Sequence, residues 1–514
     1  MKIRKLSQVG IIVIGMCSLL LPAVPVAAAS STVGGTGVQF SNLLAAKPDV
    51  TTPSILTGTD ANGKAYEVSA LASSGNTVYM GGWFPWVKKA GTSTQIPRQN
   101  IAAYDQLTGE IKSFSPQVDG QIFSMALSPD GATLYIAGKF RYVNNVARRS
   151  VAALDATTGA LKPDFDAQVD PTISMNYATW IEYRCNRLWV SGYFVGIGGN
   201  SHRNALATLD PVHGTDTGYQ NVAISGQLTG THSEVWRFDV SPNCDSAKAE
   251  LTALGDFTSV SGQHRERAFR LRLGADHPSL LGWYNPLFNQ NCVADKLQWT
   301  RAVTYSPDGS AFDISTTGGW PSNKGATYCD SITRWAVNNL SATAAPLWVQ
   351  LTGGDSFYSV ADTGQMVCGG GHMRWADNPY GYNSYGGHGA VPSPGLVCVS
   401  SANGHSIIVT DPHGGKHRWF APRSRGIGAM ALLLMQTSDG HGHMLIGSDA
   451  TANAGLGCNN PGDGVDCAQD TPSVASKYTG CLGYPRWKGD IEFVDCVGLQ
   501  QSSHPGLGSL PELP

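Results

Sequence analysis

Charged residues are scarce in this chain, and neither sign is in clear excess. Only 14% of its 514 residues are Asp, Glu, Lys or Arg, and the formal net charge is −3. Nucleic acids and anionic membrane surfaces favour proteins with basic patches, so the composition predicts neither partner. After residue 29, no apolar stretch reaches the roughly twenty residues needed to cross a bilayer, so we expect no transmembrane segment in the mature chain.

The usual sequence signs of a metal site are also missing. The chain has no CxxC spacing, which would indicate zinc, and no DxDxDG-type loop, which would indicate calcium. Seven of the 13 histidines lie between residues 372 and 443. His441 and His443 would point to the same side of a strand, but we expect them on the opposite face from His372 and His388. The sequence therefore predicts no metal site and no cofactor.

Glycine and proline, in contrast, are abundant, with 61 and 28 residues. Together with the absence of a long helical period, this is typical of a turn-rich all-β protein. Residues 121–166 show the pattern most clearly, because they form four short predicted strands joined by three turns. The first turn is SPDG at 128–131 and the third is ATTG at 156–159.

A glycine at the end of the second predicted strand recurs at intervals of about 50 to 80 residues, which is typical of a repeat architecture. Because a single four-stranded sheet cannot bury both faces alone, we expect the copies to pack on one another. The predicted fold is therefore an all-β, seven-bladed β-propeller with four-stranded antiparallel blades and a short Cys-rich C-terminal tail. The seven glycines are Gly82, Gly138, Gly192, Gly255, Gly319, Gly370 and Gly447.

The chain divides into four predicted segments. Residues 1–29 have a basic start, an apolar run and a small-residue end, which indicate a signal peptide cleaved after Ala29 and a secreted, extracellular protein. Residues 30–67 form an N-terminal segment, in which 38–44 is the candidate for a strand that closes the last blade. Residues 68–456 contain the blades. Residues 457–514 are a Cys-rich tail that is expected to complete the last blade, with 490–495 (DIEFVD) as its third strand.

Ten cysteines remain after Cys17 is removed with the signal peptide, and an even number in an oxidising compartment predicts disulfides. Cys368 and Cys398 are expected on neighbouring strands of one blade. The simplest pairs in the tail are Cys458 with Cys467 and Cys481 with Cys496. The pairing of Cys185, Cys244, Cys292 and Cys329 stays open.

The repeat combines S-P-D-G, L-Y-x-x-G-x-F and R-x-x-V-A-A-L-D-x-x-T-G. It resembles the repeat of bacterial secreted β-propellers that are described by a period of about sixty residues, the delta-60 family. The resemblance covers residues 68–450 and implies an extracellular propeller without implying a reaction. Four arginines stand at one repeat position before the third strand: Arg98, Arg148, Arg203 and Arg267. We interpret these arginines and the turn residues Asp105, Asp155 and Asp210 as scaffold.

Residues that depart from the repeat are the candidates for a ligand site. On the face formed by the second turns, flat aromatic rings with polar tips would suit sugars or protein side chains, although they could instead fill gaps between blades. The candidate ligand-binding residues are Trp83, Trp86, Trp320, His372, Arg374, Trp375, Tyr380, Tyr382 and Tyr385.

Catalytic motifs are absent from the sequence. There is no sialidase-type S-x-D-x-G-x-T-W, no G-x-S-x-G and no adjacent Cys-Cys pair. The leading hypothesis is therefore a secreted binding module for a cell-surface glycan or protein. The alternatives are an extracellular hydrolase, lyase or quinoprotein-like enzyme with a site over the central channel, and a purely structural protein of the cell envelope.

Overall fold

A computed structural model describes residues 44–48, 52–55, 59–171, 176–292, 297–319, 328–354, 356–380, 388–393, 395–410, 416–418, 429–448 and 492–497. Within these ranges the protein consists of β-strands and one short 3-10 helix, Pro286–Asn289. The all-β class with antiparallel sheets is therefore confirmed. None of the described helices is long and apolar enough to span a membrane.

Seven sheets in the described ranges each begin with an antiparallel hairpin, and we number them along the chain. Sheet 1 contains Glu67–Ser74, Thr77–Trp83 and Ile101–Asp105. Sheet 2 contains Gln121–Leu127, Thr133–Lys139 and Val151–Asp155. Sheet 3 contains Tyr177–Arg184, Arg187–Tyr193 and Leu206–Leu209. Sheet 4 contains Glu234–Val240, Glu250–Asp256, Ala268–Leu273 and Pro278–Leu280.

The remaining three sheets continue the series. Sheet 5 contains Trp299–Tyr305, Ala311–Thr317, Ser331–Ala336 and Trp348–Leu351. Sheet 6 contains Phe357–Asp362, Met366–Gly371 and Leu396–Ser400. Sheet 7 contains Ala429–Gln436, Gly442–Ser448, Glu492–Val497 and Leu44–Pro48.

Small sheets of very short strands lie in the connections. Their strands are Ser54–Ile55, Trp86–Lys88, Gln95–Pro97, Tyr142–Val143, Val146–Ala147, Ile224–Ser225, Ser259–Val260, Gln263–His264, Trp375–Ala376, Val391–Pro392, Ile408–Thr410 and Lys416–Arg418.

The predicted four-stranded antiparallel blades need two corrections. In sheets 1, 2, 3 and 6 the fourth strand is reduced to a single β-bridge, such as that between Tyr104 and Ile111. In sheet 7, Glu492–Val497 pairs in parallel with both Gly442–Ser448 and Leu44–Pro48. A parallel pair cannot be joined by a tight hairpin, so these strands come from distant parts of the chain. The predicted closing strand at 38–44 lies outside the described residues except for Leu44.

The sheets pack face to face, and their apolar side chains form the core between them. Between sheets 2 and 3, for example, Tyr135 and Val151 lie in one buried cluster with Ile181 and Val190. The first strand of each sheet contacts the first strand of the next sheet. Ala429–Gln436, the first strand of sheet 7, also contacts Glu67–Ser74 of sheet 1.

Each of the seven first strands has a β-bulge at the same place, two residues after the strand begins in the first five sheets. A bulge adds one unpaired residue and turns the strand locally, so it re-aims the side chains around it. The unpaired residues are Ser69, Phe123, Thr179, Trp236, Arg301, Tyr358 and Met430.

The bulge explains the recurring glycine. At Gly82 a Cβ atom would lie 2.0 Å from the carbonyl oxygen of Glu67, and at Gly255 it would lie 1.9 Å from that of Glu234. A side chain does not fit at these two positions, because the carbonyl group lies too close for a Cβ atom. Three of the predicted glycines are not at this position, because the residue that pairs with the one before the bulge, as Gly82 pairs with Val68, is a different one. It is Thr316 rather than Gly319 in sheet 5, Gly371 rather than Gly370 in sheet 6 and Ser448 rather than Gly447 in sheet 7.

Three disulfides lie in the described residues, which confirms the expectation of disulfide bonds. Cys185 and Cys244 join the first turns of sheets 3 and 4, with a Cα–Cα distance of 5.0 Å. Cys292 pairs with Cys329. Cys368 pairs with Cys398, the pair that the strand assignment predicted. Cys458, Cys467 and Cys481 lie outside the described residues, and so does the side chain of Cys496.

The recurrent polar residues hold the sheets together. The Asp155 carboxylate accepts hydrogen bonds from the amides of Thr157 and Thr158, at 3.1 and 2.8 Å. Asp105 and Asp210 accept equivalent pairs of bonds, so the predicted turn role is confirmed.

The repeat arginines bind backbone carbonyls. Arg148 donates to the carbonyls of Phe165 and Pro163 at 2.9 and 2.8 Å. In the first three sheets this arginine precedes by two residues a left-handed residue, such as Ser150 (φ 65°). In sheet 4 the left-handed residue is Arg267 itself (φ 65°). The equivalent arginine is therefore Arg265, not Arg267.

Candidate functional site

The bulges bring a row of half-buried side chains to the same end of the first strands. In each of sheets 1 to 5, the residue that begins the strand and the unpaired residue are both partly exposed, while the residue between them is buried. We call the larger of these side chains, with Tyr358 of sheet 6, the bulge cluster. Its members are Glu67, Gln121, Phe123, Tyr177, Glu234, Trp236, Trp299, Arg301 and Tyr358.

Contacts within the cluster run from sheet to sheet. The Gln121 amide donates a hydrogen bond to the carboxylate of Glu67. Phe123 meets the ring of Tyr177 edge-on, with ring centroids 6.1 Å apart. The Tyr177 hydroxyl in turn donates to the carboxylate of Glu234. Side-chain contacts between different residue types therefore link sheets 1 to 4.

The contacts continue into sheets 5 and 6. Trp236 meets Trp299 edge-on, with ring centroids 5.5 Å apart. The Arg301 guanidinium lies 5.9 Å from the centroid of the Tyr358 ring. The Tyr358 hydroxyl lies 3.3 Å from Nδ1 of His372, one of the predicted ligand-binding residues. Aromatic rings and hydrogen-bonding groups thus alternate along the cluster.

Glu234 is the acid of the cluster whose pKa is raised. Burial raises the pKa of Glu234 to about 7, and the charge of Asp256 raises it further. The hydrogen bond from Tyr177 and the charge of Arg301 oppose this rise. Burial also raises the pKa of the Tyr177 hydroxyl, so this donor keeps its proton. A carboxyl with a pKa near 7 can hold or release a proton at neutral pH.

Arg301 acts on Glu234 by its charge, and it also acts on a second cation, Arg237. The Arg237 guanidinium lies flat over the Trp180 ring, 3.9 Å from its centroid. Burial lowers the pKa of Arg237 to about 9, and the charge of Arg301 lowers it further. Burial also lowers the pKa of Arg301.

A cavity of 510 Å³ opens beside Arg301. Trp299 and Ser356 contribute to its walls, and so do glycines at the end of the second strand of sheet 5. This volume falls within the range of pockets that bind small ligands. The residues around the cavity are Leu297, Trp299, Arg301, Thr317, Gly318, Gly319, Gly354 and Ser356.

The predicted tryptophans lie in different surroundings. The Trp83 indole N–H donates to the Asp60 carboxylate at 3.2 Å, and Nζ of Lys64 lies 4.0 Å from the centroid of its ring. Trp86 begins the short strand Trp86–Lys88. Trp375 is only 5% exposed, so little of its ring is accessible to a ligand.

The remaining predicted ligand-binding residues differ in exposure, and three of them lie outside the described ranges. Tyr380 is 67% exposed, Arg374 is half-buried, and His372 adjoins the cluster through Tyr358. Trp320, Tyr382 and Tyr385 lie outside the described residues. In the described ranges, no three His, Cys, Asp or Glu side chains are arranged to hold a metal ion.

None of the bulge-cluster residues was predicted from the sequence, because positions that recur along the chain were assigned to the scaffold. The cluster residues do stand at equivalent positions, but their chemistry differs from sheet to sheet. The first-strand starts read Glu67, Gln121, Tyr177, Glu234 and Trp299. An alignment of the repeats on their bulges would have shown this variation, since a scaffold position tends to keep one residue type.

Comparisons with known proteins assign no family. No protein-family profile matches the sequence, and no curated protein matches it. Hydrazine synthase of Kuenenia stuttgartiensis is similar over 62% of this chain and 78% of its own, with 15% identity and a TM-score of 0.38. The computationally designed Ika8 protein is similar over 78% and 99%, with 11% identity and a TM-score of 0.35. Similarities this low carry no argument about function.

Proposed function

We propose that the seven sheets close into a seven-bladed β-propeller of the delta-60 repeat type. The contacts between successive first strands, and between the last and the first of them, support a ring. Side chains support the same junction, since Asn76 of sheet 1 donates to the Ser438 hydroxyl and accepts from the Ser438 amide, both at 2.8 Å. In a ring, all first strands begin around one opening, and the bulge cluster lines that opening.

The function that we propose is binding of a cell-surface glycan at this opening. The observation that carries the proposal is the bulge cluster itself, in which exposed edges of aromatic rings alternate with carboxylate, amide and guanidinium groups. Sugars bind to such surfaces because their apolar faces stack on aromatic rings while their hydroxyls form hydrogen bonds. The three disulfides support a location outside the reducing cytoplasm.

A glycan array probed with purified protein tests this function. We expect binding by the wild type, a loss of at least about tenfold in affinity for Trp299→Ala, and little change for Trp86→Ala, which lies outside the cluster. Circular dichroism should show that both variants are folded. Equal binding by all three proteins would remove the cluster from the ligand site, and binding only to a surface-protein array would favour a protein partner.

A second candidate is glycan hydrolysis at the same opening, and the state of Glu234 favours it. A carboxyl that stays protonated near neutral pH can protonate the oxygen of a leaving sugar while water adds to the other sugar. Asp256 is a carboxylate whose charge acts on Glu234. Release of new reducing ends by the wild type but not by Glu234→Gln would establish hydrolysis, whereas binding without release would limit the protein to recognition.

A further inference from the structure

Arg237 and Arg301 are half-buried and differ from Arg270 and Arg334 in forming no ion pair among the described residues, although the charges of Glu234 and Asp330 act on Arg301. Both belong to neighbouring first strands that contact each other, those of sheets 4 and 5. Within the part of the chain that the structure describes, neither guanidinium makes a hydrogen bond or an ion pair. Nη1 of Arg237 is completely inaccessible and has no acceptor there, and Nε of Arg301 is in the same situation.

Two other arginines, Arg270 and Arg334, are paired with carboxylates. Arg270 is fully buried and pairs with the Glu250 carboxylate. Arg334 lies 2.8 Å from an oxygen of Asp313 and 2.9 Å from one of Asp362. An ionised group that is removed from water without a partner costs several kcal/mol, so proteins pair nearly all of them. Because Arg237 and Arg301 form no ion pair among the described residues, their partial burial costs stability.

Both guanidinium groups are held in place by aromatic rings. Arg237 lies 3.9 Å from the centroid of the Trp180 ring. Arg301 lies 5.9 Å from that of Tyr358 and borders the cavity of 510 Å³. Aromatic stacking leaves the N–H edge of a guanidinium free to donate, and that edge matches the two oxygens of a planar or tetrahedral anion. A stacked arginine is thus ready to bind an acidic group without further ordering.

We propose that Arg237 and Arg301 bind a carboxylate or sulfate of the ligand, so that the bulge cluster selects acidic glycans over neutral ones. This inference rests on the proposed glycan-binding function. Charge-assisted bonds from arginine to an anion are about twice as strong as neutral hydrogen bonds. The anion would also neutralise the cations that the fold leaves unpaired. Trp236 and Trp299, which contact each other beside the two arginines, would stack on the sugar ring.

Inorganic sulfate tests the anion site independently of any glycan. Thermal unfolding is followed with increasing sodium sulfate, with sodium chloride at matched ionic strength as the reference. A ligand of the folded state raises the melting temperature by mass action. We expect sulfate to stabilise the wild type and Lys162→Met, which removes an exposed charge elsewhere, more than it stabilises Arg237→Met or Arg301→Met. Equal sulfate effects on all four proteins would overturn the anion site, even if glycans bind.

Oligogalacturonate and its methyl ester, which lacks the negative charge, test the selectivity. We expect the wild type to bind the acid at least about tenfold more tightly than the ester, and Arg237→Met to lose that preference. A sulfated oligosaccharide shows which acidic group is preferred. Equal affinity for acid and ester would overturn the inference. A sulfate effect that needs both arginines, without binding of any glycan, would retain the anion site and contradict the proposed function.

Discussion

The sheets carry charged side chains in different surroundings at their two ends, the starting end at which the first strands begin and the far end at which they finish. At the far end, Arg334 is bound by Asp313 and Asp362, and Glu250 is bound by two arginines. At the starting end, Arg237 and Arg301 form no ion pair or hydrogen bond among the described residues. Paired charges can hold neighbouring sheets together, whereas unpaired ones only cost stability. The difference therefore separates an end that maintains the fold from an end that is available for a ligand.

Removal of a paired charge should have the largest effect on stability. Arg334→Met would leave Asp313 and Asp362 buried without their cation, which costs about 3–5 kcal/mol in the free energy of unfolding. Urea denaturation measures this value. The control is Lys162→Met, because Lys162 forms a 3.7 Å ion pair with Asp155 at the surface and should cost less than about 1 kcal/mol. Similar losses in the two variants would contradict the role assigned to the buried group.

Removal of the disulfide between the far ends of sheets 3 and 4 should have the second-largest effect on stability. Cys185 and Cys244 are separated by 59 residues, whereas Cys368 and Cys398 are separated by 30. Replacement of either pair by serine should cost about 2–4 kcal/mol. The longer loop should cost about 0.6 kcal/mol more, because loop-closure entropy increases with length. Denaturation of both double variants measures the difference, and the opposite order would show that native packing outweighs loop entropy.

The free energy of unfolding should depend on pH because Glu234, at the starting end, is costly to ionise in the folded protein. The folded-state pKa of Glu234 is about 7, above its ordinary value of 4.5. A raised carboxyl pKa means that the protonated form favours folding, so this stability is complete below pH 4.5 and is lost as pH rises through 7. Glu234→Gln should remove this loss, which is roughly 3 kcal/mol for a pKa difference of this size.

Denaturation midpoints between pH 5 and 8 measure this effect for wild type and variant. The groups that act on Glu234 are Tyr177, Asp256 and Arg301, and all three remain in the variant. We expect the variant to be more stable than the wild type at the alkaline end and similar to it at the acidic end. Parallel profiles would show that Glu234 does not titrate in this range.

The smallest effect is expected at a turn of the far end. Asp155→Ala removes the acceptor of two backbone amides and should cost about 1 kcal/mol. Asp155→Asn keeps a side-chain oxygen at that position and should cost less. Melting temperatures of the two variants make the comparison. Equal losses would indicate that the charge at the turn matters more than the hydrogen bonds.

Much of this architecture could be predicted because it is local. The turn at 128–131 and the alternation of the strands around it depend on neighbouring residues, and the hairpins follow from them. The recurring glycine was visible as a spacing, but its cause is the bulge that brings the Glu67 carbonyl against Gly82. Without the bulge, Arg265 and Thr316 could not be recognised as the equivalent positions in sheets 4 and 5.

Other features depend on distant parts of the chain. The parallel pairing of Leu44–Pro48 with Glu492–Val497 joins segments near opposite ends of the sequence, and no local pattern encodes it. The candidate site has the same difficulty, because Tyr177, Glu234 and Arg301 belong to the first strands of three different sheets. The sequence predicted that Trp375 lies in an accessible loop, but the structure shows that its ring is buried.

The comparison of the two strand ends is tested most directly by the same substitution at each end. Free energies of unfolding are measured for wild type, Arg237→Met and Arg334→Met in the same buffer without added ligand. The account predicts that Arg334→Met is destabilised by about 3–5 kcal/mol, whereas Arg237→Met is as stable as the wild type or more stable, because an unpaired buried cation has been removed. Destabilisation of Arg237→Met to the same extent as Arg334→Met would contradict the account.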